Sequence, residues 1–266
     1  MNEIITSRAN ARVKQLRAAF AGQARLSGGL VAIEGENLLR EALRSGLPLK
    51  TIFLSERVAQ PTWIPQSVER MTLSDEVFAS AVATQHPQGI AALLVPPRWE
   101  MAAETPANSL LLVAAGLQDP GNLGTLIRSA EAFGATAVLT TPGTVSEWNQ
   151  KALRASAGSV FRVPVIQIAA EEIIALKMQG VRFYAAVAPD SGSQVLPAVD
   201  ADMACACALM IGNEGAGLGE EWLALADARI TIPTPGGVES LNAAVAGSLL
   251  LYEASRQRGD SSLCSE

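Results

Sequence analysis

The residues best suited to chemistry lie late in the chain. Gly212-Asn-Glu-Gly-Ala-Gly-Leu-Gly219 sets one carboxylate, Glu214, among glycines that let a ligand come close to main chain. That carboxylate would repel a diphosphate, so the loop suits a neutral or cationic ligand. The loop also comes too late in the chain for a dinucleotide fingerprint, which belongs in the first strand-to-helix turn. Its plainer reading is a glycine-rich turn with a solvated glutamate. Further on, the β-branched run Ile230 to Ile232 breaks into a Pro/Gly loop, after which Ser240 is expected to open a helix as its N-cap. The first two turns of that helix are mostly Ala, Val and Gly, so something must come close to its backbone. Asn242 is a poor helix former for such a turn, and reads either as a tolerated residue or as one kept for chemistry. Other chemistries are thin. His86 stands alone before Pro87 and reads as a loop histidine, and one histidine without a CxxC pair argues against a metal site. Cys205 and Cys207 are spaced to share a buried strand face, and Cys264 sits in a polar tail.

The elements that must position these residues follow an α/β rhythm. Val13, Leu16 and Phe20 recur at helical spacing with Arg8, Arg12, Lys14 and Arg17 to the sides, which predicts an amphipathic basic helix over 11–21. Strands are expected at 30–33, 51–54 and 90–95, with helices at 36–45 and from Ser74, whose hydroxyl and the acidic residues after it are a helix start. A small α/β domain of residues 1–97 therefore precedes a linker over 98–109. The second domain, 110–258, opens with the continuous apolar run Leu110 to Ala115, suited to a strand covered on both faces. Asp119 to Gly134 reads as a turn, a helix and a glycine stop. Strands at 135–139, 161–166, 183–188 and 206–211 alternate with helices near 149–156 and 171–179, the pattern of a parallel sheet with helices on both faces. Ligands of such sheets sit beyond the carboxyl ends of strands, so the loops after Ala115, Ala188, Ile211 and Ile232 form the candidate site. Residues 259–266 read as a frayed tail.

At 49% apolar residues the chain can fill real cores, and neither a membrane span nor a signal peptide is expected, which reads as a cytoplasmic protein. The formal charge of −6 argues against a nucleic-acid partner until its distribution is seen. Residues 1–58 carry nine Lys/Arg against five Asp/Glu, whereas residues 101–266 carry nine against seventeen. A basic arm on an acidic body can bind RNA locally and stay soluble; a solvated helix face is the competing reading.

Three segments in order, Asn122-Leu-Gly-Thr-Leu-Ile-Arg128-Ser-Ala-Glu-Ala-Phe-Gly134, Ile211-Gly-Asn-Glu214-Gly-Ala-Gly-Leu218 and Ile232-Pro-Thr-Pro-Gly-Gly-Val-Glu-Ser240-Leu-Asn242-Ala-Ala-Val-Ala246, resemble the three motifs of the SpoU/TrmH family of RNA ribose 2′-O-methyltransferases. Arg154-Ala-Ser-Ala-Gly158 followed by Pro164 is similar to the family's connecting segment. Ala32-Ile-Glu-Gly35 and Pro87-Gln-Gly-Ile90 resemble parts of the RNA-binding domain often fused in front. The resemblance implies a trefoil-knotted α/β (SPOUT) catalytic domain, S-adenosyl-L-methionine as cofactor and a homodimer, although a knot is the topology that general connection rules would exclude. It implies a catalytic set of Asn122, Arg128, Glu214, Ser240 and Asn242, and a cofactor pocket at Ala186, Val187, Ala188, Gly212, Asn213, Gly215, Ile232, Leu241 and Ala243. RNA would be held by Arg8, Arg12, Lys14, Arg17 and Arg25, with Arg128 and Arg154. The long N-terminal domain points to ribosomal rather than transfer RNA.

The implied chemistry is in-line attack of a ribose 2′-oxygen on a sulfonium methyl, which makes orientation carry much of the rate. Arg128 suits a clamp on the adjoining phosphate that stabilises charge developing on the 2′-oxygen, because a guanidinium is hardly ever neutral and makes a poor base. A surface pair with Glu131 is its plainer reading. Two rivals remain open: a non-catalytic RNA-binding relative, and a nucleotide-dependent oxidoreductase, which the absence of an early glycine fingerprint disfavours. One departure is the Pro-Thr-Pro-Gly-Gly loop, where the family more commonly has Met after the first Pro and a single Gly.

Overall fold

In a computed structural model, residues 4–23, 28–189, 195–236 and 238–260 are described. Arg25, Gly237 and Cys264, each singled out above, lie outside them. Contacts divide the chain into two units, residues 1–98 with 148–161, and residues 99–147 with 162–266.

The first unit holds a five-stranded sheet in the order β1 (Ile4–Ile5), β4 (Glu69–Leu73), β3 (Leu49–Ser55), β5 (Ile90–Leu94), β2 (Val31–Glu34). The first three are parallel, and β5 runs antiparallel to both its neighbours. Helix α1 (Ala11–Phe20) packs Val13, Leu16 and Ala19 against Phe53, Leu93 and the Val77 and Phe78 of α3 (Asp75–Ala81). Asn10 caps α1, and Ser74 caps α3 as its sequence foretells. Helix α2 (Glu36–Arg44) follows Gly35, whose φ of 97° only glycine takes without strain. Helix α5 (Gln150–Ser156) joins this unit for two local reasons: the Gln150 side-chain amide donates to the Ala32 carbonyl at 2.8 Å, and a Cβ at Gly158 would lie 2.7 Å from that of Glu41.

The second unit is built on seven parallel strands in the order β10 (Val195–Pro197), β12 (Ala228–Thr231), β9 (Arg182–Ala186), β11 (Cys207–Ile211), β6 (Leu110–Ala114), β7 (Ala137–Thr140), β8 (Val165–Gln167). β6 and β11 are fully buried, as a centre covered on both faces requires. Helices α6 (Ala170–Met178) and α7 (Glu220–Leu225) cover one face, where Phe183, Met210, Leu218 and Trp222 share a core with Ile173 and Leu176. Helices α4 (Pro120–Ala132) and α8 (Ala243–Asp260) pack together through small residues. A Cβ at Gly247 would come within 2.4 Å of Leu126 Cδ2 and 3.2 Å of Ile211, and the Ser129 and Ser248 hydroxyls meet at 2.7 Å.

Several expectations change. Ser240 does not open the last helix, because Asn242 takes the cap: its Oδ1 accepts from the amides of Ala244 (2.9 Å) and Val245 (3.2 Å), and its carbonyl accepts from Ala246. Asparagine is unfavourable inside a helix but among the best N-caps. Helix α8 also continues to Asp260, so residues 259 and 260 are not frayed. The strand expected at 161–166 starts only at Val165, because 159–161 form a 3₁₀ turn and Pro164 intervenes. Cys207 is buried at the start of β11 while Cys205 is exposed ahead of it, so the two do not share a strand face. Strands β1, β4 and β10 and helix α7 were not expected; β1 and β10 are apolar but only two and three residues long, and β4 and α7 mix charged with apolar residues.

Candidate active site

Beyond the carboxyl ends of β9, β11 and β12 lies a cavity of about 420 Å³. Every pocket residue expected from the sequence lines it: Ala186, Val187 and Ala188 at the end of β9, Gly212, Asn213 and Gly215 after β11, Ile232 after β12, and Leu241 and Ala243 at the start of α8. The loop after β11 folds back on itself. Asn213 and Gly217 exchange backbone hydrogen bonds at 2.9 Å, and the Asn213 side chain accepts from the amides of Gly215 and Ala216 while donating to the Gly116 carbonyl. A Cβ at Gly212 would meet Gly217 and Leu218 main chain at 2.2–2.4 Å, so the curl exists only with glycine there. Asn213 is thus a loop former as well as a pocket residue.

At the edge of the cavity three side chains form a hydrogen-bonded chain. Glu214 Oε1 accepts from Asn122 Nδ2 at 2.8 Å, and Asn122 Oδ1 accepts from Asn242 Nδ2 at 3.1 Å. Asn242 Oδ1 then caps α8. The polarity is forced from both ends. An ionised carboxylate only accepts, so Asn122 must turn its amide nitrogen to Glu214; backbone amides only donate, so Asn242 must turn its oxygen to α8. The middle hydrogen bond then has one possible direction. Both asparagines retain a second amide N–H outside this chain. Glu214 accepts further, at longer range, from the amides of Gln118 (3.4 Å) and Asp119 (3.3 Å), just ahead of α4, where the helix dipole also favours a negative charge. Desolvation pushes the Glu214 carboxyl up, but hydrogen bonds from Asn122 and from the backbone amides of Glu214 itself, Gln118 and Asp119 outweigh it and hold the group below its ordinary range. Asp119 caps α4 and Pro120 stands in its first turn, which sets the direction in which Asn122 leaves the helix.

The structure joins Asn122, Glu214 and Asn242 directly, and places Ser240 with Glu214 in the cavity lining. It does not bring Arg128 into either arrangement. Arg128 is exposed on α4 and makes no ion pair among the described residues; Glu131, its possible partner, is held by Arg162, with Nη2 to Oε2 at 3.0 Å. Arg154 is exposed on α5 in the first unit. The basic residues near α1 divide by partner. Arg8 pairs with Glu76, Arg12 pairs with Glu69, and Arg17 is half-buried and donates to the Ser80 carbonyl (3.1 Å) and hydroxyl (3.2 Å). Lys14 is exposed and has no ion-pair partner among the described residues. Arg229, Thr231 and Thr234 also line the cavity and were missed; the register of β12 puts Arg229 and Thr231 on one face, a signal that alternation along the strand carries. Among the described residues no three His, Cys, Asp or Glu side chains cluster to hold a metal ion, and no helix is long and apolar enough to cross a membrane.

With this geometry in hand, comparison with known proteins is specific. Residues 109–252 match the SpoU rRNA Methylase family, and residues 10–92 match the MRM3-like substrate binding domain. The chain is 35% identical over 249 residues to the 23S rRNA (guanosine(2553)-2'-O)-methyltransferase RlmP of Bacillus subtilis, covering 93% of this chain and 97% of that one. Among solved structures, the SpoU methyltransferase AviRb of Streptomyces viridochromogenes in complex with AdoMet superposes with a TM-score of 0.83 at 26% identity, covering 95% of this chain and 99% of that one. An AdoMet-bound rRNA methyltransferase from Sinorhizobium meliloti gives a TM-score of 0.81 at 26% identity, over 96% and 97% of the two chains.

Proposed function

The chain belongs to the SpoU rRNA Methylase family, and from that premise we propose that its second unit methylates a ribose 2′-hydroxyl of ribosomal RNA while its first unit holds the RNA. The second unit has the SPOUT architecture and uses S-adenosyl-L-methionine. The observation that carries the site assignment is that Glu214 belongs both to the cavity wall and to the hydrogen-bonded chain through Asn122 and Asn242.

The residues present fit the cofactor. Small side chains leave room for an adenosyl group to be read by main-chain amides and carbonyls, Gly212 lets the loop after β11 curl into the cavity wall, and the Glu214 carboxylate favours a ligand of net positive charge. When bound, the cofactor supplies an electrophilic methyl group on a sulfonium. The remaining work is orientation. Asn122 and Asn242 each hold one amide N–H in the chain and present the other toward ribose oxygens. Glu214 accepts from several donors at once and is held below its ordinary pKa, so it acts as an orienting anion rather than as the base that takes the 2′-hydroxyl proton. Arg128, which makes no ion pair among the described residues, clamps the adjoining phosphate and stabilises negative charge on the attacking oxygen. Ser240 orients either the ribose or the methionine carboxylate.

On the first unit, an open groove of about 800 Å³ along α1 is lined by Arg12, Lys14, Gln15 and Arg17, a surface suited to RNA phosphates. Lys14 is available at once; Arg8 and Arg12 exchange exposed ion pairs of small worth for phosphate; Arg17 chiefly supports the fold. Arg154 is a further exposed cation of this unit. A homodimer is supported by Val245, Leu249 and Tyr252 on α8, which recur at helical spacing and are 44–53% exposed. Sedimentation velocity would show a dimer, and a monomer at all concentrations would refute it. A ribosomal RNA substrate also favours a cytoplasmic location.

The direct test incubates the protein with methyl-labelled cofactor and ribosomal RNA and maps the label. Label at a ribose 2′-oxygen is expected; cofactor binding without any ribose label would overturn the enzyme assignment and favour a non-catalytic RNA-binding relative.

A further inference from the structure

Thr231 ends β12 and lines the cavity, yet its Oγ1 is shielded from water and has no hydrogen-bond partner among the described residues. A buried hydroxyl without a partner has lost its hydration and gained nothing in exchange, so such groups are rare unless a ligand completes them. The neighbouring strand offers no help: the residue opposite Thr231 on β10 is Pro197, which has no N–H. The same cavity is lined by the apolar Leu223, Ile230, Ile232 and Leu250 and by Arg229 and Thr234. Rotation about one torsion, χ1, carries the hydroxyl to another staggered position and so can turn the oxygen toward the cavity.

We propose that Thr231 is a cofactor-positioning residue whose hydroxyl forms a hydrogen bond with the adenosine portion of the bound cofactor. The inference rests on the cofactor assignment above. The adenosine portion is assigned because the reacting methyl must face Asn122, Glu214 and Asn242, which leaves the β12 side of the cavity to the nucleoside. A nucleoside carries both donors and acceptors, and a hydroxyl can serve either.

Thr231→Val keeps the shape and removes the hydroxyl, and two readouts should then move in opposite senses. Without ligand, the variant melts at the same temperature as the parent or slightly above it, because an unsatisfied buried oxygen has gone. Its affinity for S-adenosylhomocysteine, measured by calorimetry, falls about three- to tenfold. Thr231→Ser keeps parental affinity. 5′-Methylthioadenosine, which lacks the amino-acid end, shows the same fold loss with Thr231→Val. Should Thr231→Val not fold, Thr231→Ala set against Thr231→Ser gives the same comparison. Unchanged affinity in the hydroxyl-less variant overturns the proposal, as does a loss seen with S-adenosylhomocysteine but not with methylthioadenosine. Failure of the parent protein to bind either ligand is a separate result, which brings down the cofactor assignment and this inference with it.

Discussion

The cavity and the polar chain at its edge share Glu214 but are made of opposite materials. The cavity is shaped by what its residues lack: Gly212 has no side chain to collide with Gly217, and Ala186, Ala188, Ala243 and Ala246 leave space beside apolar walls. The polar chain is set by what its residues carry, a carboxylate that only accepts at one end and helix amides that only donate at the other. Errors in shape should therefore weaken cofactor binding, and errors in polarity should slow methyl transfer while the cofactor still binds.

Arg128 gives the widest separation. Arg128→Ala is expected to slow single-turnover methyl transfer about 10²- to 10³-fold, the usual scale for losing a group that stabilises developing charge, with S-adenosylhomocysteine affinity nearly unchanged by calorimetry. A parallel fall in cofactor affinity would break the division. Gly212→Ala tests the other side. The loop must open to admit a Cβ 2.2 Å from Gly217 main chain, costing about 1–3 kcal/mol of stability and at least about a tenfold loss of cofactor affinity. Thermal unfolding with and without S-adenosylhomocysteine reads both.

Glu214→Gln keeps shape but can accept on only one side-chain oxygen, so transfer should slow roughly tenfold or more through misorientation of Asn122. The pH dependence has a definite sign. Because the folded carboxyl is held below its ordinary range, its stabilising effect is fully present above the unfolded value, about 4.3, and is lost as pH falls through the folded value. The parent's acid limb of stability should weaken in Glu214→Gln; an unchanged acid limb in circular-dichroism titrations would remove Glu214 as its source.

Asn242 sharpens the comparison within one residue. Asn242→Ala loses cap and donor together and should cost about 1 kcal/mol of stability. Asn242→Ser restores a cap but not the amide that donates to Asn122, so melting recovers while transfer remains several-fold slow. The smallest effects fall on α1. Lys14→Ala should lower the salt slope of RNA binding by about 1 without changing melting, whereas Arg17→Ala should lower melting by removing both hydrogen bonds to Ser80.

Much of the fold was legible because its signals are local. The continuous apolar run Leu110 to Ala115 marked a strand covered on both faces, a strand was expected at 206–211, Ser74 announced α3, and the glycines of 212–219 announced a close approach. The nine pocket residues that the resemblance implied all line one cavity beyond the carboxyl ends of the strands. Reading failed where the deciding partner is distant in sequence. Ser240 and Asn242 are both good caps, and nothing local chose between them. Arg8, Arg12, Lys14 and Arg17 look equivalent as a row of cations, yet Glu76, Glu69 and Ser80 engage three of them. Helix α5 carries no local mark that it will pack beside Ala32 and Glu41.

The sequence by itself, through its glycine-rich loop and the motifs it shares with a family, supplied the candidate groups: one carboxylate at 214, amides at 122 and 242, and a guanidinium at 128. Only the tertiary structure decided the direction of the hydrogen bonds among them. That direction depends on α4 and α8 lying side by side, with Gly247 against Leu126 and the serines 129 and 248 in contact, and on β11 delivering Glu214 to the start of α4. Residues 92 and 120 positions apart must come within hydrogen-bonding distance before a carboxylate's inability to donate can orient an amide, and no local pattern in a chain encodes that proximity.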